Sequence, residues 1–192
     1  MHLARIGVAL ALAGVTVLGA VQLADAKPWR KLHRPLHLPQ LATGDACPVS
    51  PVDPRVDWEK NPIFGQSGTG RGPVYPGLGS SGGDLTIRGP SRDGWFRGKV
   101  FWYVKPSYRK RALIRGRRLD APGPLRLEAS VAPRSSPREL RIKRKTTVSW
   151  RGKPRRSRGV PSGVLIRTPG CYGVQIDGTR FSRIVVFTAS TP

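Results

Sequence analysis

What most limits this chain is how often it is interrupted: 23 glycines and 19 prolines are spread through 192 residues. Proline removes a backbone donor and clashes inside a helix, and glycine weakens one, so the stretches between them are too short for a helical core. No apolar pattern of helical period persists beyond two turns. What remains are short alternating or β-branched runs bounded by turn residues, and such a chain buries its apolar side chains by stacking sheets. The clearest run is Cys171 to Phe187, which reads as two strands joined at Asp177-Gly178, a dipeptide suited to a tight hairpin turn. By alternation Tyr172, Val174 and Ile176 share one face. Phe181, Val185 and Phe187 join that face across a two- or four-residue turn, whereas a three-residue loop would bring Ile184 and Val186 there instead.

Further strands are expected at Asp84–Arg88, Trp95–Val104, Ala112–Arg115, Pro124–Ser130, Glu139–Ile142 and Thr146–Trp150, with Val164–Arg167 leading into the hairpin. In the second of these, Val100, Trp102 and Val104 point one way and Phe101 and Tyr103 the other. Large aromatics supply much of a small core, so burial on both faces is expected, with an exposed aromatic binding face as the alternative. Gly116 to Asp120 is expected to turn out of its strand, Asp57 to Gly83 to be irregular, and Arg151 to Arg158 to be a mobile basic loop. The expected fold is therefore an all-β, immunoglobulin-like sandwich of seven or eight short strands.

Residues 1–26 have the pattern of an export signal: Arg5 near the start, an apolar run from Ile6 to Leu23, and Ala24-Asp25-Ala26 as a small-x-small cleavage site. The apolar run is also about long enough to stay as an uncleaved membrane anchor, the alternative to cleavage. Either way the remainder is expected outside the cytoplasm, secreted or at the cell surface. Residues 27–46, rich in Pro, His and Arg, are expected to be a flexible linker, and residues 47–192 the folded domain. His33 and His37 stand four apart, but Pro35 and Pro39 oppose the helix that would make a metal pair of them. With two cysteines in an exported chain, Cys47 and Cys171 are expected to form one disulfide. A nucleophilic Cys171 would need a base, and no histidine follows His37.

Four segments resemble an uncharacterised family of small secreted bacterial proteins, common in actinobacteria and other soil lineages. They are Cys47-Pro48-Val49, Gly72-Pro73-Val74-Tyr75-Pro76, the run from Leu113 to Leu125 containing Arg115-Gly116-Arg117-Arg118-Leu119-Asp120, and Gly170-Cys171-Tyr172 onward. The resemblance spans roughly Cys47 to Phe187. It implies a β-sandwich and a secreted or surface location, and no reaction. The stretch from Arg138 to Arg158 is more basic than the resemblance leads one to expect.

Chemistry is sparse. Without a histidine beyond His37, Ser-His-Asp and Cys-His arrangements are excluded from the domain, and neither a metal centre nor a cofactor is expected. Gly68-Thr69-Gly70-Arg71-Gly72 lacks the Gly-Lys-Ser/Thr ending and the preceding strand of a phosphate loop. Carboxylates at Asp57, Glu59, Asp84, Asp93, Asp120, Glu128 and Asp177 offer candidates for a glycan-cleaving pair, although Asp177 is accounted for by its turn and Asp120 by a neighbouring arginine. The formal charge of +23 points elsewhere. Arg138, Arg141, Lys143, Arg144, Lys145, Arg151, Lys153, Arg155, Arg156 and Arg158 can form one basic face toward an anionic envelope polymer or lipid surface, salt-dependently and without sequence-specific nucleic-acid recognition. The expectation is a non-enzymatic exported protein associating with the envelope through that face; the alternative is an envelope-glycan enzyme working through carboxylates.

Overall fold

A computed structural model of the chain describes residues 28–60, 66–79, 82–129, 138–144 and 158–192. The chain divides into two compact units, 1–31 and 32–192. Of the first, only 28–31 are described, with a helical turn at 28–30, so the export-signal and anchor readings lie outside the described residues. Among those residues no helix is long and apolar enough to cross a membrane.

The second unit is all-β. Its strands are β1 (Val74–Gly77), β2 (Asp84–Arg88), β3 (Phe96–Val104), β4 (Ala112–Arg118), β5 (Leu125–Ala129), β6 (Glu139–Ile142), β7 (Arg158–Ile166), β8 (Gly170–Gly178) and β9 (Phe181–Ser190). They hydrogen-bond in the order β5-β7-β3-β2-β9-β8-β4-β6, with β1 also on β3. The path folds into two facing layers because β2 serves both. Its last residues pair antiparallel with β3, and Asp84 to Thr86 pair parallel with Thr188 to Ser190 of β9. Between the layers lies one core, including Ile87, Val100, Trp102, Ile114, Leu127, Leu140, Ile166, Tyr172, Ile176 and Phe187. The polar edge of Trp102 is satisfied there: Nε1 donates to Ser162 Oγ at 2.8 Å.

Several local expectations change. The β8–β9 hairpin turns at Thr179-Arg180, with Gly178 opposite Phe181, Val174 opposite Val185 and Tyr172 opposite Phe187. The two-residue alternative is thus the one realised, and Asp177 is a buried strand residue rather than a turn residue. β4 runs on through Gly116 to Arg118, where a turn was expected. Glycine is required there because a Cβ at Gly116 would lie 2.4 Å from the Gly173 carbonyl oxygen across the ladder. β7 begins at Arg158, inside the stretch expected to be a mobile loop. β1 was not anticipated: Pro76 obscures a strand that lies at an edge, where a missing donor is tolerated. The Thr146–Trp150 strand lies outside the described residues. Tyr103 is buried and Phe101 half-buried, packed with Val56, Trp58 and Tyr75 in a second cluster, so both faces of β3 carry packed aromatics.

The largest change concerns residues 32–46, expected to be a flexible linker. They lie along the outer face of β8 and β4. His37 N donates to Gln175 Oε1 at 2.8 Å and Gln175 Nε2 donates to the Pro35 carbonyl at 2.9 Å, so one side-chain amide pairs with the segment as a strand backbone would. Leu41 N donates to the Leu119 carbonyl, and Leu38 is buried with Leu119 and Val186. The Cys47–Cys171 disulfide, with Cα atoms 5.6 Å apart, fastens the end of the segment as expected.

Candidate basic pole and surface trough

The ten cations expected to form one face separate into groups. Lys145, Arg151, Lys153, Arg155 and Arg156 lie outside the described residues. Arg138 is exposed, and Arg141 donates to Glu139 at 2.6 Å. Arg158 is no surface residue: it is 5% exposed, and its guanidinium faces carbonyl oxygens rather than solvent. Nη1 donates to Lys143 O and Arg144 O, both at 2.9 Å, while Nη2 donates to Tyr108 O and to Lys110 O at 3.1 Å. Burial lowers its pKa from the usual arginine range, and carbonyl dipoles take the place of a carboxylate partner.

That buried cation has a geometric effect. It ties the loop after β3 to the loop after β6, and so gathers four exposed cations, Arg109, Lys110, Lys143 and Arg144, around one end of the sandwich. Tyr108 supports the first loop through an edge-on ring contact with Phe181 and by accepting from Thr179 N. No Asp or Glu occurs between Arg97 and Leu119, nor between Leu140 and Ile176, so neither loop carries its own neutralising charge. Arg109 and Lys110 were not among the expected residues. The Arg109-Lys110-Arg111 run was visible in the sequence, but only the fold brings it to the other group.

A second feature lies on the outer face of β2, β3, β7 and β5. An open trough of about 1090 Å³ is lined there by Asp84, Arg88, Lys99, Phe101 and Glu128 over a floor at Pro161 and Gly163. Arg97 holds two of the nearby carboxylates, Glu128 Oε2 at 3.0 Å and Asp93 Oδ2 at 3.2 Å. At one side the guanidinium groups of Arg126 and Arg167 lie over the Trp95 ring, 4.3 and 4.1 Å from its centre.

Neither a family model, nor a curated protein, nor a solved structure matches this chain.

The carboxylates named as candidates for a hydrolytic pair are scattered and mostly held by cations. Asp57 pairs with Lys60, Asp120 with Arg118 at 2.6 Å, and Asp177 with Arg115 at 2.8 Å. The Arg118 guanidinium holds the Asp120 carboxyl below its usual range. Asp84 and Glu128 do line one trough, but β3 and β7 lie between their strands. Three strand spacings put the two backbones roughly 14 Å apart. Glu59 is exposed, two residues from Asp57.

Asp53, which the sequence reading overlooked, is a buried carboxylate held from several sides. It accepts from Arg55 Nε at 2.8 Å, Arg55 Nη2 at 2.9 Å and the Tyr75 hydroxyl at 2.9 Å, and Arg55 holds it well below the usual carboxylate range. Burial, and then Asp53 itself, push the Tyr75 hydroxyl up. The neighbouring Gly68-Thr69-Gly70 run is buried packing: a Cβ at Gly68 would meet the Trp58 ring at 2.2 Å, leaving no cradle for phosphate. His33 Nε2 lies 3.1 Å from Glu139 Oε2, whereas His37 is exposed. Among the described residues no three His, Cys, Asp or Glu side chains converge as metal ligands.

Proposed function

We propose that this chain is an exported, non-enzymatic β-sandwich protein that holds to an anionic polymer of the cell envelope through the basic pole, and that it belongs with the small secreted bacterial proteins it resembles. The single observation supporting this reading is the Arg158 cradle. Loops that would otherwise repel each other are fixed side by side, with Arg109, Lys110, Lys143 and Arg144 exposed and no acidic residue in either. A protein does not need a buried cation to stay soluble; concentrating charge in one place raises the local potential toward a polyanion. The disulfide suits an oxidising, extracytoplasmic setting. An extended polymer, which can follow several cations in turn, suits a pole built on two loops better than a flat lipid surface does.

The test is retention of the purified chain on an immobilised anionic polymer across a salt series, beside anionic lipid vesicles. Retention on the polymer should fall steadily as salt rises, and Arg109→Glu with Arg144→Glu should weaken binding and flatten the salt dependence by about one unit per cation lost. Binding that ignores both salt and the substitutions overturns the reading. Preference for vesicles over the polymer moves the partner to the lipid surface.

A further inference from the structure

The trough on the β2-β3-β7-β5 face is separate from the pole and makes its own demand on a ligand. Its floor is formed where β7 presents Pro161 and Gly163 outward, opposite Phe101 and Lys99 of β3. Proline and glycine make this part of the face low, and Lys99, Glu128 and the arginines stand around it. A Cβ added at Gly163 would find its nearest neighbours at 3.6–3.8 Å, all ordinary contacts, so the position is not glycine for want of space. The ladder already uses the backbone hydrogen bonds of these strands, so a ligand lying on the face must be read by side chains alone.

Those side chains are mixed. Arg97 is occupied by Asp93 and Glu128. Arg88 and Lys99 are exposed cations, and Asp84 an exposed carboxylate, with no ion pair among the described residues. Phe101, half-buried, offers part of a ring at one end. A polyphosphate would meet Asp84 and Glu128 as well as the cations, and a neutral glycan would leave two cations unanswered. A chain of sugar acids answers all of them: carboxylates toward Arg88 and Lys99, hydroxyls toward Asp84, Thr86 and Glu128, and an apolar ring face toward Phe101 and Pro161. We propose that the trough is a binding site for one chain of an acidic polysaccharide. From the Arg97 row to the Phe101 row it runs four residues along β3, roughly 13 Å, room for a short oligomer rather than a single sugar.

Calorimetric titration of the full chain with a short oligogalacturonate tests this, with a neutral glucan oligomer and a short polyphosphate alongside. Gly163→Phe fills the floor and Lys99→Glu reverses one lining charge; both lie away from the core, and thermal unfolding should stay unchanged. Each should weaken the oligogalacturonate by about tenfold or more and leave polymer retention through the pole intact. The Arg109→Glu, Arg144→Glu variant should do the reverse, so loss of the pole reading leaves this one standing. Unchanged oligogalacturonate binding in both trough variants overturns the proposal. So does equal binding of the neutral oligomer, or displacement of the sugar acid by polyphosphate from the same site.

Discussion

The two outer faces of this sandwich use the same residue types to opposite ends. On the β9-β8-β4-β6 side, residues 32–50 lie over the sheet and seal a charge layer: Asp177 is fully buried, Arg115 is 16% exposed, and Arg34 approaches from the covering segment. On the β2-β3-β7-β5 side, Arg97 holds Glu128 with both groups about half exposed, at 47% and 50%. Whether a stretch of chain lies on top decides what the pair is for. In a protein with 34 basic and 11 acidic residues, carboxylates are scarce. Those spent under cover fix the fold, and those left in the open keep their polar atoms available to a ligand. Asp177 illustrates the first use, accepting from Arg115, from Gln175 and from Ser182 at 2.7 Å.

The largest effect that bears on this contrast comes from the disulfide holding the covering segment. Replacing Cys47 and Cys171 together by serine opens a loop with a sequence separation of 124, which loop-closure entropy makes a loss of about 5 kcal/mol. Denaturant unfolding measures it. A loss under about 1 kcal/mol would mean that residues 32–50 stay in place without their fastening.

Next comes the paired comparison of carboxylates. Asp177→Ala takes the carboxylate from Arg115 and Arg34, leaving them backbone carbonyls of Arg34, Phe181 and Gly178 as acceptors, and should cost about 3–5 kcal/mol. Arg115 is poorly placed to recover, since its Nε has no hydrogen-bond partner. Glu128→Ala removes a half-exposed pair and should cost at most about 1 kcal/mol. Equal losses in the two unfolding curves would erase the distinction between the faces.

The last test is an acid titration centred on Asp53, which packs with the aromatic cluster through Tyr75. Its folded-state pKa is depressed, so the stability it confers is fully present above the unfolded value near 3.9 and is lost as pH falls through the folded value. Asp53→Asn should lower stability at neutral pH by about 1.5–3 kcal/mol and make the acid limb below roughly pH 4 shallower. An acid limb identical to that of the parent would place the acid sensitivity elsewhere.

Alternation made the layers legible in advance: β2, β3, β5, β6 and the β8–β9 hairpin follow from period-two patterns in single segments. The register of the hairpin did not. Asp177-Gly178 has the local chemistry of a turn, but Asp177 is drawn into a strand by Arg115, distant in sequence, and the chain turns two residues later. The covering segment was hidden for the same reason. A Pro-rich stretch has no period, and the partners that fix it, Gln175, Leu119 and Cys171, lie far along the chain. The pole was half visible as basic runs. Composition marked the cations, but could not show that Arg158 would turn inward and act as the joint between them. The trough depends on Gly163 lying between Lys99 and Glu128 and on Pro161 lying beside Phe101, which is a property of strand order and has no signature in any one segment.

β2 carries a consequence beyond the site it borders. Because its five residues are shared out between the layers, Ile87 and Arg88 antiparallel to β3 and Asp84 to Thr86 parallel to β9, neither layer can open without tearing a ladder of the other. The β2–β9 contact joins residues about a hundred positions apart, so it forms only after most of the chain has been gathered, which favours slow folding. Once formed, it makes the two layers a single cooperative unit, and the amides of β2 should exchange with solvent only through global unfolding.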